Sequence, residues 1–166
     1  MNISGRALKY GDNINTDIIS PPAYMELSIK EAAKFTMSPI DTEFAKNCKH
    51  GDIFVAEKNL GSGSSRETAP LMLKELGIKT IIAKSYARIF YRNCINLGIL
   101  AIQCDSTEKI SMYDELEIDY KEGIIYNRTK NEKYVCEKIP EHIMEFIKQD
   151  GLINYLKEKI SKNNKG

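Results

Sequence analysis

The chain has 166 residues, of which 42% are apolar and 28% charged, and its net charge is +1. That length can bury a real hydrophobic core, and the near-neutral balance excludes a nucleic-acid backbone as the partner. No apolar run approaches the roughly 20 residues that span a bilayer and no apolar leader follows the first residues, so no membrane role and a cytoplasmic location are expected.

Residues 3–9 alternate weakly and predict a strand. Asp12-Asn13-Ile14-Asn15-Thr16-Asp17 is a run of turn formers and predicts a polar loop. Pro21-Pro22 then forces extended backbone. Ser28 and Glu31 have capping-box spacing, which predicts a short helix to about Met37, and residues 41–48 predict another. Residues 52–57 predict a strand. After a Gly/Ser turn, Leu71, Met72, Leu73 and Leu76 mark a helix that Gly77 stops. Residues 80–83 predict a strand, 87–97 a helix closed by Gly98, and 99–103 a further strand. Strands alternating with helices in this way imply a parallel sheet with right-handed crossovers.

Beyond Asp105 the pattern changes. Residues 115–120, 124–127 and 133–137 predict short strands joined by tight turns at Glu122-Gly123 and Thr129-Lys130, hence a second, antiparallel sheet. Pro140 suits the start of a helix with Ile143, Phe146 and Ile147 on one face, and a last helix is expected over 152–160. The basic tail is expected to fray, most of all at 165–166. With no linker or repeat, the expectation is one α/β domain over residues 1–166.

Cys48, Cys94, Cys104 and Cys136 are far apart and form no C-x-x-C pair. Buried, reduced cysteines are expected, and an iron–sulfur cluster held by this chain alone is not, because such clusters need grouped thiolates. His50 and His142 follow no metal-ligand spacing and are expected at the surface.

Gly61-Ser62-Gly63-Ser64-Ser65-Arg66-Glu67 falls between a predicted strand and a predicted helix. Unpaired N–H groups and the positive end of the helix dipole meet there, and glycine lets backbone approach a ligand, so the place suits an anion. It is not a phosphate loop, since no lysine follows the second glycine. It is not a dinucleotide fingerprint, since Arg66 takes the third glycine's place, and it is not a nucleophile elbow. A purely structural reading exists as well: Ser64 and Glu67 have capping-box spacing. Capping does not call for two glycines, a second serine and an arginine together. Pro70, early in the following helix, is expected to bend its first turn.

The segment 59–67 resembles the G-x-G-S-S-R-E signature of the swivelling domain of the aconitase superfamily. Gly11-Asp12-Asn13-Ile14-Asn15-Thr16-Asp17-Ile18-Ile19 is similar to that family's G-D-x-[IV]-x-T-D-x-I stretch. Ser85-Tyr86-Ala87-Arg88-Ile89-Phe90-Tyr91-Arg92-Asn93 is similar to its S-[FY]-A-R-I-F-[FY]-R-N segment. The resemblance runs from about Arg6 to Gln103. A free-standing chain of this size resembles the small subunits of the isopropylmalate dehydratase branch. The implied fold is a swivelling β/β/α domain with a parallel central sheet and a second, antiparallel sheet. The implied activity is that of a hydro-lyase in leucine biosynthesis, acting as a heterodimer with a large subunit that carries a [4Fe-4S] cluster, a Lewis acid for the leaving hydroxyl.

The resemblance also implies roles. Ser64 would be the general base, and Ser65 and Arg66 would hold the substrate carboxylate. Asp17 and Ser20 match active-site positions; a turn former is the plainer reading of Asp17. The loop 21–28 corresponds to the substrate-selecting loop, where Tyr24, Met25 and Leu27 suit an alkyl group. Glu26 has no assigned part, and Lys30 is a candidate to neutralise it. No arginine lies between Arg6 and Arg66, so a third substrate carboxylate has no cation there. Arg88 and Arg92, at i and i+4 on one helix, are candidates for the site, for the partner's surface, or for a structural ion pair. The expected reaction interconverts 2- and 3-isopropylmalate. Alternatives are 2,3-dimethylmalate, 2-methylmalate/citraconate or homoaconitate and, in another class, a non-catalytic carboxylate-binding module.

Overall fold

The computed structural model describes residues 2–165. Its centre is a seven-stranded sheet of order β4-β3-β2-β1-β5-β6-β7. The parallel part is β1 (Ile3–Lys9), β2 (Ile53–Val55), β3 (Thr80–Ala83) and β4 (Leu100–Gln103). The antiparallel part adds β5 (Glu115–Asp119), β6 (Ile124–Asn127) and β7 (Glu132–Val135) to the other side of β1. The expected antiparallel sheet is therefore present, and it is continuous with the parallel one. The division falls within β1: Ile3, Ser4, Gly5 and Arg6 pair with β5, while Ala7, Leu8 and Lys9 pair with β2.

Successive side chains of a strand point to opposite faces, and here both faces are buried. Ala7, Ile53, Val55, Ile82, Leu100 and Ile102 face inward with Leu116, Ile118, Ile125 and Tyr134. Leu8, Phe54, Ile81, Ala83 and Ala101 face outward beneath the helices. That explains why the parallel strands read as unbroken apolar runs; burying each Ile or Phe side chain contributes about 1.5–3 kcal/mol. The sheet curls until its edges meet. Glu137 N donates to Gln103 O at 3.0 Å, and Gln103 N donates to Glu137 Oε1 at 2.9 Å. This explains why β7 stops before Glu137, which the sequence had placed in the strand.

The covering helices are α1 (Thr16–Ile19), α2 (Ile29–Ala32), α3 (Phe44–Asn47), α4 (Thr68–Glu75), α5 (Arg88–Asn96), α6 (Glu141–Lys148) and α7 (Leu152–Lys165). The short α1 corrects the expectation of a polar loop through Asp17: Asn15 Oδ1 accepts from Ile18 N at 2.9 Å and starts a helical turn. The last helix, expected over 152–160, runs as α7 to Lys165, while Gly166 lies outside the described residues. No helix among the described residues is long and apolar enough to cross a membrane.

Candidate active site

Three loops meet beyond the carboxyl ends of β1, β2 and β3, where open α/β sheets hold ligands. Backbone bonds lock them together. Gly61 N donates to Ile14 O at 2.8 Å, Thr16 N to Ser62 O at 2.8 Å, and Leu60 N to Ser85 O at 3.0 Å. Asn59 N donates to Ser85 Oγ at 2.8 Å. Each loop comes from one of the three sequence segments singled out above.

Both glycines of the turn are dictated by its geometry. Gly61 has φ +84°, and a Cβ there would run into the Phe90 ring of α5. Gly63 has φ +103°, and a Cβ there would lie 3.2 Å from Thr16 Oγ1. The capping box does not form. Helix α4 starts at Thr68, its N-cap position is Glu67, and no side chain caps it. Pro70 is the third residue of α4, ahead of the first intrahelical donor, Leu71 N to Glu67 O at 3.1 Å. A residue in the first turn has no intrahelical partner for its N–H, so this proline removes no hydrogen bond of the helix. The purely structural reading of Ser64 and Glu67 therefore loses its basis. Among the described residues the backbone N–H groups of 62–67 have no hydrogen-bond partner.

Arg66 organises what remains. Its Nη2 lies 2.8 Å from Asp17 Oδ1, and its Nε donates to Ser64 Oγ at 3.1 Å. Ser64 and Ser65 are exposed, and Arg66 is half-buried. A guanidinium beside Ser64 Oγ, with free N–H groups around it, favours negative charge on that oxygen and on a nearby carboxylate. Asn93 Nδ2 of α5 donates to Ser65 O at 3.2 Å and holds the turn from the other side.

The structure brings Ser64, Ser65, Arg66 and Asp17 into one cluster. Ser20 sits beneath it, 4% exposed, with its Oγ donating to Thr68 Oγ1 at 3.1 Å. Ser20 therefore ties α1 to α4 and is not open to a ligand. In the loop 21–28 the Tyr24 ring stacks on Phe35, with centroids 3.9 Å apart and planes 6° from parallel. That ring is used in packing, while Met25 and Leu27 stay exposed at 54% and 43%. Glu26 is exposed, and among the described residues it forms no ion pair with Lys30 or any other cation. Arg88 and Arg92 are exposed and are not contacts of Ser64, Ser65 or Arg66. His50 and His142 are exposed, as expected.

Thr16, Asn93 and Thr68 were missed as site residues. Asn15 before Thr16-Asp17-Ile18-Ile19 was a readable helix-start signal; nothing local marks Asn93, whose partner is 28 residues away. Burial pushes the Cys48 and Cys136 thiols up to about 12 and raises those of Cys94 and Cys104. Among the described residues no group of three or more His, Cys, Asp or Glu is arranged to hold a metal.

The aconitase C-terminal domain family matches residues 9–107. A 3-isopropylmalate dehydratase small subunit of Clostridium botulinum is 51% identical over 161 residues, covering 96% of this chain and all of that protein. Small subunit 1 of that dehydratase from Archaeoglobus fulgidus is 48% identical over 154 residues, covering 92% of this chain and 96% of its own. A crystal structure of 3-isopropylmalate dehydratase from Methanocaldococcus jannaschii superposes with a TM-score of 0.92 at 43% identity, over the full length of both chains. With relatives this similar along nearly its whole length, and with the serine–arginine turn standing where three loops converge, the chain belongs to the 3-isopropylmalate dehydratase small subunits of the aconitase superfamily.

Proposed function

We propose that this chain works as one swivelling domain which, joined to a large subunit, interconverts 2- and 3-isopropylmalate by loss and return of water. The observation that carries the reading is Arg66, which holds Ser64 Oγ and Asp17 at once beside a row of free N–H groups. Ser64, as the alkoxide, takes the proton from the carbon next to a substrate carboxylate. The C–H electron pair becomes the C=C bond, and the neighbouring C–O bond breaks with its pair leaving on the hydroxide. That hydroxide together with the proton on Ser64 makes up the water lost. Reversal with water entering at the other carbon gives the isomer. A serine hydroxyl is a weak acid, and each pKa unit of adjustment corresponds to about 1.4 kcal/mol. The guanidinium and the N–H groups supply that stabilisation where charge builds.

Arg66 and Ser65 hold the carboxylate, with Asp17 keeping the guanidinium in place. Met25 and Leu27 take the alkyl group, on a loop stiffened by the Tyr24–Phe35 stack. The thiols of this chain are scattered, with Cys94, Cys104 and Cys136 buried and Cys48, against expectation, only partly so. They do not fit a [4Fe-4S] cluster, which is assigned to the large subunit. The test pairs this chain with its cluster-loaded large subunit and measures turnover. Isopropylmalate should be converted, and citrate and homoaconitate should not. Turnover of homoaconitate at a comparable rate would contradict the reading of the loop.

A further inference from the structure

We propose that the outward face of α5, with Arg88, Ile89 and Arg92, is a seat for the large subunit and meets an acidic patch on it. This rests on the reading above, in which that partner completes the site.

The arginines of this chain divide into two groups. Arg6 pairs with Asp52, Arg66 with Asp17 and Arg128 with Glu117. Arg88 and Arg92 are exposed and, among the described residues, have no ion-pair or hydrogen-bond partner. Residues 76–104 contain no Asp or Glu. Lys84 is taken up by Glu57 at 3.4 Å and Glu108 at 2.9 Å, and Glu137, which lines the same cleft as Arg88, forms no ion pair with it among the described residues. The helix is also poorly supported at its start. It has no acidic residue in its first turn and no side-chain cap, and Arg88 is its first residue. A cation at the positive end of a helix dipole is unfavourable. An acidic surface pressed against that end reverses the sign.

The face is continuous with the site. At 100° per residue, Arg88, Arg92, Asn96, Ile89 and Asn93 occupy one arc of α5; the opposite side carries the buried Phe90 and Cys94, and the buried Ile95 borders the arc next to Arg88. At the edge of the arc, Asn93 touches Ser65 O. A partner that covers the exposed Ser64 and Ser65 therefore continues over Ile89 and Arg92. Ile89 is 52% exposed and gives the seat an apolar spot flanking the two charges, on the side toward Asn93. A second copy of this chain fits poorly, because a two-fold pairing of this face would gather four guanidinium groups.

The experiment measures binding of this chain to its cluster-loaded large subunit by calorimetry, with activity titrated in parallel. Arg88→Glu/Arg92→Glu should weaken Kd by roughly 100-fold, while the melting temperature of the isolated chain should hold or rise slightly, since a carboxylate suits the start of the helix. Activity should return as the large subunit is raised to saturation. Arg88→Ala/Arg92→Ala should weaken binding less and flatten its salt dependence. Lys133→Glu on β7 should change neither binding nor activity. An unchanged Kd in the glutamate variant overturns the proposal. So does activity that stays low at saturation, which would place the arginines in the chemistry, or a wild-type chain that dimerises through this face. A wild-type pair that binds but does not turn over isopropylmalate would overturn the functional reading instead, leaving the seat standing.

Discussion

Asp17 and Arg66 lie 49 residues apart in the chain and meet at 2.8 Å across the site. The Asp17 side chain is 59% exposed and that of Arg66 is 23% exposed, and a pair this open to water contributes only about 0–1 kcal/mol to stability. Its value lies in aiming the guanidinium. Asp17→Asn should therefore lower kcat/KM on isopropylmalate by roughly tenfold to a hundredfold with almost no change in melting temperature. A variant that loses stability and activity in parallel would show that the pair is structural.

Thr16 Oγ1 is buried beneath the turn, against Gly63, and among the described residues it has no hydrogen-bond partner. Threonine and valine have nearly the same shape, and removing an unpaired buried hydroxyl relieves about 1 kcal/mol or more. Thr16→Val should raise the urea midpoint of the isolated chain. A lowered midpoint would show that the hydroxyl has a partner in solution.

Gly61→Ala should destabilise the chain by about 3 kcal/mol, from the positive φ and the collision with Phe90 together. Gly61→Ala/Phe90→Ala separates the two causes. The double variant should be less destabilised than the sum of the single ones, because only the collision is shared. Strict additivity in denaturant titrations would assign the whole cost to the backbone.

Stability should fall in acid for identifiable reasons. Burial alone raises the Glu57 carboxyl, but Lys9 at 2.7 Å, Thr107 at 2.6 Å and Lys84 at 3.4 Å outweigh it and hold the group below its ordinary value. Asp114 is likewise lowered against burial, by Ser111 N–H, Asn127 and Lys130. A carboxyl depressed in the folded state stabilises above its unfolded value, and that stability is lost as pH falls through the folded one. The urea midpoint should thus hold at neutral pH and drop below the ordinary values of 4.5 and 3.8. Glu57→Gln should be less stable at neutral pH, with the half-buried Lys9 left with only the neutral carbonyls of Thr107 and Ile110 in place of its ion pair, and its acid slope should be shallower. An equal slope would assign the acid sensitivity elsewhere.

Much of this was readable from the chain. The strands at 3–9 and 80–83 and the glycine-stopped helices follow from short-range pattern, and these fix where the serine–arginine turn falls. What could not be read depends on distant partners. The split of β1 at Arg6 and Ala7 leaves no mark in a single alternating strand. Tyr24 looked free to meet a ligand because Phe35, which stacks on it, lies across the loop. The capping box looked real because Ser64 and Glu67 have its spacing; Ser64 Oγ instead accepts from Arg66, and α4 begins at Thr68.

The central claim is that Ser64 carries the proton. The most direct test is the kcat of Ser64→Ala in the reconstituted pair, with its binding to the large subunit measured alongside. Binding should match wild type, since Ser64 Oγ supports only the contact with Arg66, while kcat should fall by roughly 10²–10⁴. A bound Ser64→Ala pair that keeps most of its kcat would contradict the account.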